Sequence, residues 1–175
     1  CFCNCINLAG SIVIPDTIMQ LQPYTFYGCK KLTSLTLGPN VMMIQEHCFD
    51  GCSGLSCSLS FANQNFNRIE PYAFCNCSNL VGTIQIPSKV SYVADYSFYN
   101  CAHLTSIKFS PILEYIGQYA FYGCTGFETI TLPTNVKFTE IREGAFQNCA
   151  GLTGTLTVPS QVTDIMPGAF FGTGF

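Results

Sequence analysis

Eight phenylalanines, Phe2, Phe26, Phe49, Phe74, Phe98, Phe121, Phe146 and Phe170, follow one another at intervals of 23 to 25 residues along this chain of 175. A fixed period of that length is the mark of a solenoid, in which each unit leans on its neighbours to bury one continuous core. Three residues after every phenylalanine but the last comes a cysteine: Cys5, Cys29, Cys52, Cys77, Cys101, Cys124 and Cys149. Three residues later again comes a leucine, replaced once by Phe127.

The rest of each unit is patterned too. A short alternating run, from Ile12/Ile14 in the first copy to Leu156/Val158 in the last, predicts a strand with one buried face. Proline closes most of these runs (Pro15, Pro39, Pro87, Pro111, Pro133, Pro159), as expected of a residue without an amide hydrogen. Beyond the turn stands an aliphatic pair, Ile18/Leu21, Val41/Ile44, Val90/Val93, Ile112/Ile116 or Val162/Ile165; its second member, or its equivalents Ile69 and Ile141, lies five residues before the next phenylalanine. Length variation is confined to the strand entry and the proline turn. Gly10, Gly82 and Gly154 mark a longer entry, where Cys57 takes the glycine's place in one copy; Ser34, Ser106 and Thr129 mark a shorter one. Ala62 stands where proline is expected, and with the polar insert Asn63-Gln64-Asn65 it predicts a bulge in the third coil.

A unit this small cannot bury its own apolar face. Stacking at about 4.8 Å along the strand hydrogen-bond direction would give a parallel ladder. The expected fold is therefore a leucine-rich-repeat-type solenoid of about seven coils of 23–25 residues, with short parallel strands stacked into a ladder and few or no long helices. Residues 1–175 read as a single repeat domain, a segment of a longer protein.

Composition excludes several functions. Charged residues make up 10% of the chain, the net charge is -3, and no basic run exists, which argues against nucleic acid. No apolar stretch is long enough for membrane insertion within this segment. The cysteine column reads as small buried thiols. Disulfides between neighbouring coils are allowed on distance, but parallel side-chain vectors make their geometry poor. Paired Cys-x-x-Cys elements of the zinc type are lacking, so no metal is expected. Cys3 and Cys75, which follow a phenylalanine, share that position with polar residues and are expected to be partly exposed; Cys57 is undecided. His47 and His103 lie at unrelated places in the repeat, and the carboxylates are dispersed. Neither a catalytic constellation nor a phosphate-binding loop is recognisable, so the chain does not read as an enzyme and no cofactor is implied.

Recognition would then fall to the surface. The strand residues that alternate with buried ones form a nearly neutral face: Ser34, Thr36, Thr83, Gln85, Ser106, Lys108, Thr129, Thr131, Thr155 and Thr157. They are candidate contacts for a protein or glycan ligand, although threonine on a solvated strand accounts for them equally. A second candidate is an aromatic stripe, Tyr27, Tyr99 and Tyr122, beside Tyr24, Tyr72, Tyr96 and Tyr119 two residues before the core phenylalanine. Tyrosine supplies contact area at low entropic cost, but these rings could equally shield the turn between coils. Asn76-Cys77-Ser78 matches a glycosylation acceptor only formally.

Units such as Ala120-Phe121-Tyr122-Gly123-Cys124-Thr125-Gly126-Phe127 and Ser97-Phe98-Tyr99-Asn100-Cys101-Ala102-His103-Leu104 resemble the BspA-like leucine-rich repeats, found in surface proteins of bacteria and parasitic protists. The resemblance spans essentially the whole chain. It implies a cell-surface or extracellular location and adhesion through protein or glycan contacts. An intracellular interaction scaffold or an architectural spacer is the alternative. The family has no general catalytic residues to carry over, and its repeat motif does not define ligand-binding residues.

Overall fold

A computed structural model describes residues 1–61 and 65–175; the expected bulge at Ala62, Asn63 and Gln64 lies outside the described residues. Eleven short strands occur among the described residues: β1 (Ala9–Val13), β2 (Gln20–Leu21), β3 (Lys31–Thr36), β4 (Met43–Ile44), β5 (Arg68–Ile69), β6 (Gly82–Gln85), β7 (Tyr92–Val93), β8 (Leu104–Lys108), β9 (Tyr115–Ile116), β10 (Glu140–Ile141) and β11 (Asp164–Ile165). Every pairing is parallel and joins adjacent coils. The fold is a seven-coil leucine-rich-repeat solenoid, and the described residues contain no helix.

Each coil has two strand positions, and the regular ladder is not the one the alternating pattern favours. The two-residue strands recur in all seven coils, pairing as β2-β4-β5, β7-β9 and β10-β11. Each ends on the aliphatic residue five before a phenylalanine, and that residue is fully buried in coils two to six. Its partner three residues earlier is Val41, Phe66, Val90, Leu113 or Phe138, all buried. Leu113 therefore replaces the expected Ile112, which is 45% exposed.

The longer strands pair only as β1-β3 and β6-β8. In both pairs the register shifts at a glycine, Gly10 or Gly82, held at a φ near +80° that glycine adopts without strain. Cys57 holds the same place in coil three without a left-handed φ, and no strand forms there. In coil six the larger Phe127 fills the leucine position against Phe121, and no strand forms at residues 130–132. The expected strand face is thus a ladder with breaks.

The eight phenylalanines form one column, with ring centroids 5.2–5.6 Å apart and planes within 10° of parallel; Phe26 through Phe146 are buried, and the end rings Phe2 and Phe170 are exposed and half-buried. The turn that carries them alternates its hydrogen bonds. Tyr24, Phe26 and Gly28 donate their amides to Glu46, Cys48 and Asp50 of the next coil, while Thr25, Tyr27 and Cys29 donate three residues back within their own. This alternation demands left-handed backbone two residues before and two after the phenylalanine. The later position holds only glycine or asparagine, from Asn4 and Gly28 through Asn148 and Gly172. The earlier one holds Tyr24, His47, Tyr72, Tyr96, Tyr119, Gly144 and Gly168.

Candidate functional site

The seven-fold cysteine column has a structural task. Cys29, Cys52, Cys77, Cys101, Cys124 and Cys149 each donate a thiol hydrogen to the carbonyl of the phenylalanine one coil earlier, at 3.0–3.3 Å. A thiol is small enough for the packed turn and still supplies that donor. All twelve cysteines are free. Burial pushes the six buried column thiols, Cys29 to Cys149, up, to about 12 at Cys52 and Cys149, which disfavours the nucleophilic thiolate. Cys75 corrects the expectation of partial exposure. It is buried and likewise pushed up to about 12, by burial first and then by the neighbouring Asp50 charge.

On the strand face, the candidate side chains point outward as expected: Ser34 and Ser106 are half-buried, and Thr36, Thr83, Gln85, Lys108, Thr129, Thr131, Thr155 and Thr157 are exposed. Only Ser34, Thr36, Thr83, Gln85, Ser106 and Lys108 lie on paired strands, and Thr83 shares a 2.7 Å hydrogen bond with Ser106 across one pair. Three shallow clefts open where the ladder breaks. One of about 340 Å³ lies between Ser58, Ser60 and Phe61 of coil three and Thr83, Gln85 and Pro87 of coil four. Another, about 290 Å³, runs from Lys108 and Pro111 to Thr131 and Pro133. The third, about 320 Å³, joins Thr131 and Thr134 to Thr155, Thr157 and Pro159. Six of the ten candidates line a cleft, and each cleft is floored at a strand-closing proline.

The aromatic stripe is reorganised. Tyr99 and Tyr122 stack at 4.5 Å, but Tyr27 is cut off from them by Asp50 and Cys75 in the same position of coils two and three. The continuous stack runs two residues before the phenylalanine: Tyr24, His47, Tyr72, Tyr96 and Tyr119, with centroids 4.4–5.2 Å apart. It ends on Gly144, where an added β-carbon would run into the Tyr119 ring.

His47 belongs to this column, which a search for tyrosine alone passes over; its position two before Phe49 was the available signal. Its ring lies between Tyr24 and Tyr72 and meets Asp50 at 2.8 Å and Glu46 at 3.5 Å. Outside the stack, the Tyr92 and Tyr115 hydroxyls donate to Glu70 and Asp95 at 3.0 and 2.8 Å; at the end of the stack, the Tyr119 hydroxyl donates to Glu143 at 2.6 Å. That bond and partial burial push the Tyr119 phenol up to about 12. Arg142 sits 4.0 Å over the Tyr115 ring while contacting Glu140 at 3.2 Å. Among the described residues, no group of His, Cys, Asp and Glu is arranged to hold a metal ion, and no helix is long and apolar enough to cross a membrane.

A sequence profile describing the BspA type leucine rich repeat region matches residues 1–81 and 56–174, in six copies. No curated protein sequence matches the chain. Among solved structures, a leucine rich repeat protein of T. pallidum is 27% identical, with a TM-score of 0.82 over 93% of this chain and 75% of that one. A leucine-rich repeat protein from Eubacterium ventriosum is 25% identical, with a TM-score of 0.79 over 95% of this chain and 43% of that one. A leucine rich cell surface protein from Faecalibacterium prausnitzii shares the fold at 23% identity and a TM-score of 0.58, over 98% and 53% of the two chains.

Proposed function

Because the chain belongs to the BspA-type leucine-rich-repeat family, whose solenoid is a non-catalytic recognition scaffold, we propose that it acts in adhesion at a cell surface, through protein or glycan contacts made on the strand face. The observation that carries this reading is the set of three hydroxyl-lined clefts at the breaks in the long-strand ladder. A closed ladder offers a ligand only side-chain tips. An open one adds concave space, and its unpaired backbone groups can bond a polar ligand. Nearly neutral serine, threonine and glutamine linings suit an uncharged polar partner.

One observation favours the second reading, an interaction scaffold in a reducing compartment: all twelve cysteines are free thiols. Eight of them are buried and shielded from oxidants in either setting, so they weigh little against the adhesive reading. Labelling of intact cells with an antibody to the folded protein separates the two.

The direct test is binding of the folded protein to immobilised matrix proteins and host-cell glycans, beside a variant carrying Lys108→Glu, Thr131→Arg and Thr157→Arg. These side chains are exposed, so the variant is expected to fold. Saturable binding that disappears in the variant supports recognition on the strand face. Binding that persists unchanged moves recognition elsewhere, and absence of binding to any of them counts against adhesion to such ligands.

A further inference from the structure

Charge is unevenly distributed around each coil. The segments that run from the two-residue strand through the residue after the phenylalanine hold seven of the ten carboxylates, two arginines and none of the five lysines, a formal charge of -5. The remaining segments carry three carboxylates and five lysines, or +2. The acidic segments are also the ones that bear the tyrosine stack.

Within them, Tyr96, Tyr99, Tyr119 and Tyr122 form a two-by-two block. Tyr96 stacks on Tyr119 at 5.2 Å and Tyr99 on Tyr122 at 4.5 Å, and the rows are 5.7 and 6.1 Å apart. All four rings are half-buried, so one side of the pavement meets solvent. Glu143 holds the Tyr119 hydroxyl, and Asp95 lies beside Tyr96. On the same acidic segments, Arg142 over Tyr115, in contact with Glu140, shows another tyrosine and carboxylate seating a guanidinium. Aromatic faces attract cations through the ring quadrupole, and flanking carboxylates add Coulombic attraction. Among the described residues, the Tyr96–Tyr99–Tyr119–Tyr122 block has no arginine or lysine of its own over its rings.

We propose that this tyrosine-paved acidic edge is a second interaction surface, distinct from the strand face, that docks an arginine- or lysine-bearing segment of a partner protein. Arginine is the better fit, because a planar guanidinium stacks on a ring while reaching a carboxylate. The strand face follows the long strands, whereas the tyrosine block lies in the turns around Phe98 and Phe121, so both can be occupied at once.

Fluorescein-labelled peptides of alternating arginine and glycine, and of alternating lysine and glycine, are titrated with the folded protein at 0.15 M salt and followed by anisotropy. Saturable binding is expected, tighter for the arginine peptide. A Tyr99→Leu/Tyr122→Leu variant keeps apolar packing but removes the ring faces, and is expected to bind about tenfold more weakly. Should that variant fold poorly, Glu143→Gln reads the same surface through one exposed side chain, the carboxylate that holds the Tyr119 hydroxyl. Retention of peptide binding by the strand-face variant described above completes the expected result. The proposal is overturned if the arginine peptide does not bind saturably, if the folded Tyr99→Leu/Tyr122→Leu variant binds as well as the parent, or if the strand-face variant loses binding equally.

Discussion

A tyrosine held in left-handed backbone is strained by roughly 1–2 kcal/mol, yet Tyr24, Tyr72, Tyr96 and Tyr119 all adopt it. Their rings stack, and each such contact returns about 0.5–1.5 kcal/mol beyond simple burial. The cysteine column solves a related problem: it gives six of the eight phenylalanine carbonyls, Phe2 through Phe121, a second donor in a turn too tight for a larger side chain. Cys101→Ala removes one such donor and should cost about 1–2 kcal/mol, against about 3–5 kcal/mol for Phe98→Ala, which empties a slot in the ring column. Urea unfolding of the two variants checks the order. The thiols also set a pH dependence. Folded Cys52 and Cys149 keep their protons up to about pH 12, whereas the ordinary thiol value is 9.0. Below that value both states are protonated and the stabilisation is complete. As pH rises from there towards 12 the unfolded chain loses protons that the folded chain retains, so stability falls. The urea midpoint should decline across that range, and less steeply in a Cys52→Ala/Cys149→Ala variant.

At the scale of strand and turn, two glycines with similar backbones make a controlled comparison. Gly82, at φ +80°, has only the Ser58 β-carbon within 4 Å of an added methyl group, at 3.6 Å. Gly144, at φ +59°, would drive that methyl into the Tyr119 ring. Gly82→Ala should therefore cost about 1–2 kcal/mol of backbone strain, and Gly144→Ala a further 1–3 kcal/mol or so for overpacking. Equal losses in thermal unfolding would contradict the ring seat. These elements also show how far the sequence reaches. The phenylalanine period, the buried leucine and the aliphatic before each turn all follow from spacing, because interior positions must keep register. The break at coil three is only half visible, as Cys57 in a glycine's place. The two-residue strands leave no period-two signal, since two residues cannot alternate. The left-handed site after each phenylalanine was legible as glycine or asparagine in every copy, once asparagine is allowed the same backbone freedom.

For the molecule as a whole, stability is spread along one dimension, each coil resting on two neighbours. Protection against amide exchange should be greatest in the middle, at Val93 and Ile116, and should fall away at β11, where both residues are exposed. Uniform protection measured by exchange and mass spectrometry would instead indicate a single cooperative block. The clefts were not legible, because they depend on whether neighbouring coils close their long-strand ladder, and period alone leaves that undetermined. The aromatic edge was half legible: its spacing, with His47 two before Phe49 and Asp50 just after it, is in the sequence, while the stacking of those rings into one column required the packed turns.

The tyrosine stack has an optical consequence as well. The chain contains nine tyrosines and no tryptophan, so its near-ultraviolet absorption and emission are dominated by phenol rings. The phenol rings of Tyr72, Tyr96 and Tyr119, held 4.8–5.2 Å apart in a chiral column, couple their transitions and pass excitation from one to the next. Circular dichroism between 270 and 290 nm should accordingly be strong in the folded protein and collapse on unfolding, an intrinsic signal that follows the order of the coils without any label.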